Sequence, residues 1–127
     1  MMGSKLMILS LILFSVACSS IAQLALKMGM SNPVITQILD KGEWKQIAFA
    51  IGLNPWVISG LSLYFFGALI WLLVLARVEL SFAYPFVGLG FIMTMLLGRF
   101  VLGDDLSLQR ILGTLIIVTG VLLIASE

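Results

Sequence analysis

Four long apolar stretches dominate the pattern of the chain, and short polar segments separate them. Each stretch has about the 20 residues that a helix needs to cross the hydrocarbon core of a bilayer. None alternates as a barrel strand would, and inside lipid a helix satisfies its own backbone hydrogen bonds. The pattern predicts an all-α integral membrane protein, a four-transmembrane-helix bundle forming a single domain over 1–127. The predicted spans are about 6–26, 56–76, 80–97 and 106–125.

The connection between the first two spans is the longest of the three. Ile35, Ile38 and Leu39 follow helical spacing within it, and Trp44 lies among charged residues, as interfacial anchors do. We therefore predict a short helix over about 34–49. This helix either lies on the membrane surface or packs its apolar side on the bundle, and the sequence leaves both arrangements open.

Composition agrees with a lipid environment and excludes several classes of function. Of the 127 residues, 61% are hydrophobic and 10% are charged, whereas soluble domains carry about 25% charged residues. The net charge of +1 gives no basic patch for nucleic acid. The chain has no histidine and one cysteine, which excludes an internal disulfide and a histidine–cysteine metal site. We expect no metal, no other cofactor and no enzymatic reaction.

Polar residues inside a membrane span are costly and are therefore functional candidates. In the first span Ser15, Ser19, Gln23 and Lys27 follow one another at steps of four residues. That spacing aligns them in a slowly drifting stripe on one side of the helix. Either the stripe lines a substrate cavity, or its serines aid close packing and Lys27 marks the interface. We predict a cavity, since hydrocarbon cannot satisfy the amide of Gln23.

The second span places two glycines and two aromatic residues on one face, namely Gly60, Tyr64, Gly67 and Trp71. The glycines permit another helix to approach closely. Tyr64 and Trp71 either contact substrate in a pocket or belong to an aromatic belt at the membrane interface.

The third span contains a predicted conformational hinge. Pro85 removes a backbone donor and frees the carbonyl of Ser81, while Gly88 and Gly90 loosen the turn that follows. Tyr84 at this break is a candidate substrate contact. Transmembrane helices also tolerate proline and glycine for structural reasons alone.

The fourth span is nearly uniform apart from Gly113 and Gly120, which are seven residues apart and so lie on one face. Such a pair is typical of a helix–helix contact, either within the bundle or between subunits. We predict a dimer contact.

All six carboxylates lie in connections or at the end of the chain. Export of cations in exchange for protons ordinarily needs a carboxylate within a span, so this arrangement argues against that activity. The six are Asp40, Glu43, Glu79, Asp104, Asp105 and Glu127.

Cations are distributed unequally between the two ends of the predicted bundle. Five flank the first and third connections and two lie at the opposite end, so the positive-inside rule places both termini outside the cytoplasm. The five are Lys27, Lys41, Lys45, Arg99 and Arg110, and the two are Lys5 and Arg77.

Several short segments together resemble one superfamily of transporters. They are Ser20–Lys27, Trp71–Leu75, Phe82–Pro85 and Gly113–Gly120. In order and spacing they resemble the small multidrug resistance-like, EamA-type branch of the drug/metabolite transporters. Within that branch, the Gln23–Lys27 pair and Ala83-Tyr84-Pro85 are similar to subunits of the 4-amino-4-deoxy-L-arabinose–phosphoundecaprenol flippase. Drug exporters of the branch carry a glutamate where this chain has Ser19, and the flippase group also lacks it.

The resemblance implies a transporter made of two four-helix chains, as a homodimer or as a heterodimer with a similar subunit. It implies flipping of a polyprenyl-phosphate-linked sugar across the bacterial inner membrane. The head group would contact the first-helix stripe and Tyr84, and Lys27 or Arg99 would face the phosphate. Two alternatives stay open, an exporter of small amphipathic drugs, amines or metabolites and an accessory membrane subunit that transports nothing.

Overall fold

The computed structural model describes residues 2–126, and the regular secondary structure in that range is helical throughout. Seven α-helices and one 3₁₀ segment follow one another along these residues. They are α1 (Met2–Met30), α2 (Pro33–Lys41), α3 (Trp44–Gly52), α4 (Pro55–Leu75), α5 (Leu80–Ala83), the 3₁₀ segment (Tyr84–Gly88), α6 (Leu89–Phe100) and α7 (Leu108–Ala125).

Within the described residues, four helical stretches are long and apolar enough to cross a membrane. The predicted all-α fold with four spans is thus confirmed, and the chain is a multi-pass membrane protein. The last span begins two residues later than predicted because Ser107 caps α7, its Oγ accepting a hydrogen bond from the Arg110 N–H at 3.1 Å. The four stretches are Gly3–Met30, Pro55–Leu75, Leu80–Phe100 and Leu108–Ala125.

The first connection forms two helices, so the single helix predicted over 34–49 is wrong. The chain leaves helical geometry at Gly42, whose φ of −89° and ψ of 158° are extended. The Gly42 N–H donates to the Ile38 carbonyl and ends α2 there. A side chain at Gly42 would place its Cβ 2.7 Å from that carbonyl oxygen, so glycine suits this close turn.

The sequence left open whether this connection packs on the bundle or lies on the membrane surface, and the two short helices differ in this respect. Ile35 of α2 is buried, so α2 turns an apolar residue inward. No residue of α3 is buried, and Trp44 and Phe49 are 75% and 70% exposed. The exposed aromatic rings of α3 suit the boundary between lipid and water.

The most extensive helix contact in the bundle is that of α1 with α4, and the glycines of the second span lie in it. A Cβ at Gly60 would lie 2.9 Å from the Leu26 side chain, and a Cβ at Gly67 would lie 3.0 Å from Cys18 Cβ. The Ser15 Oγ donates to the Gly67 carbonyl at 2.8 Å across this contact. Small residues let the two backbones approach, and the hydrogen bond then forms directly between helices.

The third span changes from α-helix to 3₁₀ geometry at Tyr84–Gly88, which contains Pro85. Phe86 in this segment is buried in the apolar core, together with Ile12 and Val16 of α1, Val74 of α4 and Val121 of α7. One side of the break therefore faces the core of the bundle, whereas Tyr84 at its start is exposed.

Gly88 and Gly90 allow neighbouring helices to pack against this break. A Cβ at Gly88 would lie 2.7 Å from Ile117 Cγ2 of α7, and one at Gly90 would lie 3.1 Å from Ser20 Oγ of α1. These contacts give both glycines a packing role, and their role as a hinge with Pro85 stays a prediction.

Helix α7 lies at the edge of the bundle. Among its described residues Val121 alone is buried. A Cβ at Gly113 or at Gly120 would meet no atom within 4 Å, so both glycines face open space on this subunit. Their predicted contact is therefore not with another helix of the same chain.

We expect Gly60→Ala to destabilise the fold by about 1–3 kcal/mol, as overpacking of a close contact does. The new methyl group would meet Leu26 and, at 3.0 Å, the Ala22 carbonyl oxygen, which cannot move aside easily. The measurement is the free energy of unfolding in detergent micelles. Gly52→Ala is the matched control, because a Cβ there meets nothing within 4 Å. Equal stability of the two variants would contradict the α1–α4 contact.

Candidate functional site

A cavity of about 450 Å³ lies between α1, α4, the 3₁₀ segment and α6, and we call it the α1–α6 cavity. Its size falls within the range of about 300–1,000 Å³ that is usual for ligand sites. Apolar residues such as Leu24, Phe91 and Leu97 form part of its wall. The polar residues that line it are Ser19, Ser20, Gln23, Lys27, Tyr64, Thr94 and Asp104.

The α1–α6 cavity extends from one end of the bundle into the span. Lys27 near the end of α1 and Asp104 in the turn after α6 are exposed, whereas Ser20 is buried. Eight residues separate Ser19 from Lys27 along α1, which corresponds to a depth of roughly 12 Å at 1.5 Å per residue. Polar groups thus continue well below the interface.

Three hydroxyl groups of the cavity use their protons within their own helices. Ser19 Oγ and Ser20 Oγ both donate to the Val16 carbonyl, at 3.0 and 2.9 Å, and Thr94 Oγ1 donates to the Phe91 carbonyl at 3.2 Å. Each oxygen keeps lone pairs that accept hydrogen bonds. The inner part of the cavity is therefore suited to a ligand that donates hydrogen bonds, such as a sugar.

Gln23 and Lys27 supply the donors nearer the mouth. Among the residues described, neither side chain makes a hydrogen bond or an ion pair with another part of the chain. The Gln23 amide can both donate and accept, and the Lys27 ammonium offers three donors and a positive charge. These two groups are available to an anionic ligand.

The structure brings together half of the predicted substrate contacts. Ser19, Gln23, Lys27 and Tyr64 line the α1–α6 cavity, and Ser15, Trp71, Tyr84 and Arg99 lie outside it. The roles of all eight in binding substrate stay predictions.

The geometry of the α1 stripe explains why Ser15 departs from it. Steps of four residues rotate the stripe by roughly 40° each around the helix axis. Ser15 therefore faces α4, where it bonds to Gly67, while Lys27 has turned by roughly 120° towards the cavity. Ser15 acts in this subunit as a packing residue.

The other three outlying residues have different surroundings. Trp71 is half-buried and packs against the apolar core. Tyr84 is 61% exposed on the outside of the bundle. Arg99 donates from Nη1 to the Asp104 carbonyl at 3.2 Å, just as Arg110 donates to the Asp105 carbonyl at 2.8 Å. Both guanidinium groups brace the turn between α6 and α7, which leaves Lys27 as the cation of the cavity.

The sequence analysis missed Ser20, Thr94 and Asp104 as cavity residues. A signal for Thr94 was present, because Gly90, Thr94 and Gly98 follow one another at steps of four and so share a face of α6. No pattern indicated Asp104, since its place depends on the fold of the turn after α6.

A second concave surface of about 500 Å³ lies at the opposite end of the bundle. Lys5, Arg77 and Glu79 contribute its charged groups, and Ile8 and Phe82 contribute apolar surface. Basic residues therefore border polar concavities at both ends of the spans.

Comparison with known proteins assigns the family. A protein of Pseudomonas fluorescens, named "Probable 4-amino-4-deoxy-L-arabinose-phosphoundecaprenol flippase subunit ArnE", is 31% identical over 121 residues. The match covers 94% of this chain and 99% of that protein. This chain belongs to the ArnE flippase-subunit family. Membership confirms the resemblance that the Gln23–Lys27 pair and Ala83–Pro85 suggest.

Other ArnE proteins show the same similarity. That of Pseudomonas paraeruginosa is 34% identical over 97 residues, covering 73% of this chain and 84% of the relative. That of Proteus mirabilis is 31% identical over 72 residues, covering 57% of this chain and 64% of the relative. No protein-family model matches the chain, and no solved structure matches it.

We expect the α1–α6 cavity to admit water. Cys18 is the only cysteine and is buried, so a Cys18→Ala chain provides a background for single-cysteine variants. In membranes, Gln23→Cys should react with a water-soluble maleimide, because a thiol needs water to ionise. Leu115→Cys, which replaces an exposed residue in the middle of α7, should not react. An unreactive Gln23→Cys in a folded chain would show that the cavity is closed.

Proposed function

We propose that this chain is one subunit of a transporter that flips a polyprenyl-phosphate-linked sugar across a bacterial inner membrane. The observation that carries the proposal is a cavity with an unpaired lysine at its mouth and hydroxyl groups at its inner end. The similar ArnE proteins are named as subunits of a flippase for 4-amino-4-deoxy-L-arabinose-phosphoundecaprenol. A lipid-linked sugar phosphate matches both the charge and the polarity of this site.

In this mechanism the head group enters the cavity and the phosphate binds Lys27. A hydrogen bond between two charged groups is stronger than one between neutral groups, and it gains further strength away from bulk water. Gln23 and the hydroxyl oxygens of Ser19 and Thr94 would then replace water around the sugar. The transporter needs only to expose this site to each side in turn, so no residue has to react with the substrate.

The polyprenyl tail would stay in the hydrocarbon throughout. A groove between α6 and α7 shares Phe91 and Thr94 with the cavity, and Met95, Gly113 and Ile117 continue it. The groove offers the tail a lateral path from the cavity into lipid. Lys5 and Arg77 at the opposite end would meet the phosphate as it leaves.

Proton-coupled export of a cation is less consistent with the molecule. The first-span position where drug exporters of this superfamily carry a glutamate is Ser19, whose proton is already bonded to the Val16 carbonyl. Within the described spans no side chain is acidic, so no carboxylate at mid-membrane depth is available to alternate between a proton and a cation. Asp104, which also lines the cavity, lies in the turn after α6 and outside the spans.

We expect Lys27→Gln to slow head-group flipping roughly tenfold or more. A hydrogen bond to a charged group contributes about 1.5–3 kcal/mol, and about 1.4 kcal/mol corresponds to a factor of ten. The measurement is flipping of the polyprenyl-phosphate-linked amino sugar in vesicles that contain the assembled transporter. Lys45→Gln is the control, since Lys45 is exposed on α3 and lies outside the cavity. Normal flipping by Lys27→Gln would refute the proposed role of this lysine.

The same proposal requires a partner with four similar helices, either a second copy or a related subunit. One chain encloses only one side of a substrate path. Helix α7 is the natural contact, because its outer face is exposed and Gly113 and Gly120 lie open on it. Close packing through such glycines stabilises helix pairs in lipid. The partner would border the groove proposed for the tail.

We expect Gly120→Leu to weaken subunit association while leaving the single chain folded. The added side chain has free space within the subunit but would keep a partner helix at a distance. The measurement is the ratio of paired to single chains by cross-linking in membranes. Leu122→Phe is the control, because residue 122 lies almost opposite residue 120 around the helix. Unchanged pairing in Gly120→Leu would place the partner elsewhere.

A further inference from the structure

A carboxylate lines the same cavity as Lys27, although its residue lies outside the spans in sequence. Asp104 follows Gly103, which adopts the left-handed φ of 76°. This turn brings the chain back over the end of α6, where the Asp104 N–H donates to the Gly98 carbonyl at 2.9 Å. The Asp104 carboxylate is therefore not needed to hold the turn, because the backbone of Asp104 makes this bond.

Gly98 provides the space that the carboxylate occupies. A Cβ on Gly98 would lie 2.6 Å from Asp104 Oδ2, closer than two such atoms can approach. Since glycine has no Cβ, the carboxylate can lie against α6 at the cavity wall. Any larger residue at position 98 would displace it.

The two opposite charges of the cavity do not pair with each other. Between residues 2 and 126, Lys27 and Asp104 form no ion pair, and no donor of the chain reaches the Asp104 carboxylate. Arg99, the nearest cation in sequence, binds the backbone carbonyl of Asp104 instead. One cavity thus presents a free cation and a free anion, an arrangement that matches a ligand carrying both charges.

We propose that Asp104 selects lipid-linked sugars that carry an amino group, by binding the ammonium while Lys27 binds the phosphate. This inference rests on the proposed function and adds the residue that recognises the amine. Head groups without the amine would cover the Asp104 carboxylate and displace its water without giving it a partner, which disfavours their binding. The relatives' names describe an amino sugar linked through phosphate, which has both groups.

The test compares two ligands that differ in one charge. Short-chain polyprenyl phosphates bearing a 4-amino pentose or its uncharged N-acetyl derivative compete with a fluorescent polyprenyl phosphate for the transporter, assembled from this chain and its partner subunit, in nanodiscs. For the unmodified chain we expect the amine ligand to bind about tenfold more tightly. Asp104→Asn should reduce that ratio to near one by weakening the amine ligand alone, because it removes the charge and keeps the size.

Three further variants separate charge selection from a structural effect. Asp105→Asn should keep the full ratio, since Asp105 does not line the cavity. Asp104→Glu should show a binding ratio between that of the unmodified chain and that of Asp104→Asn. Gly98→Ala should lower it without altering Asp104 itself, because the new methyl group displaces a flexible carboxylate rather than the backbone.

Each outcome bears on a different claim. If Asp104→Asn keeps the tenfold preference, or if the unmodified chain binds both ligands equally, the role of Asp104 is refuted and the proposed flippase stands. If the unmodified chain binds neither ligand, the proposed function itself fails, and the inference fails with it. If Asp104→Asn does not fold, the binding ratios of the unmodified chain and of Gly98→Ala are compared instead, and equal ratios would refute the role of Asp104.

Discussion

The close contact between α1 and α4 determines where every other group of the bundle can lie. Lipid gives helices little hydrophobic reason to associate, so they depend on close packing and on hydrogen bonds between them. Here Gly60 and Gly67 provide the approach and Ser15 provides the bond. At the other end, buried Asn54 caps α4 and donates to the Gly29 carbonyl at 3.4 Å. With α1 held against α4 in this way, its Ser19, Gln23 and Lys27 face the cavity that α6 borders.

The third span then forms the opposite wall and sets the shape of the site. Its 3₁₀ segment buries Phe86 in the core, while Gly88 and Gly90 let α7 and α1 pack on either side. A regular helix with larger residues here would hold α6 away from α1. The third span is thus held close to α7 at Gly88 and to α1 at Gly90, and the polar cavity lies beside this second contact.

The sequence predicts the structure correctly wherever a single periodic pattern determines the length of a helix or the side on which a residue lies. Span lengths follow from hydropathy, and the placement of Gln23 and Lys27 on one side of α1 follows from helix geometry. The spacing of four residues groups Ser15 with the cavity residues, but the rotation of the stripe turns Ser15 towards α4, where it bonds to Gly67. The break at Gly42 and the return of Asp104 over Gly98 depend on turn geometry and on contacts between distant residues. Hydropathy carries no information about either.

The braced turn between α6 and α7 has a mechanical consequence for an assembled transporter. Arg99 at the end of α6 and Arg110 in the first turn of α7 grip successive carbonyl groups, those of Asp104 and Asp105. These two hydrogen bonds connect the turn to both helices, so we expect α6 and α7 to move together as one hairpin. If a neighbouring subunit tilted α7, this turn would carry the movement to Gly98 in the cavity wall, so association at α7 would change the shape of the cavity.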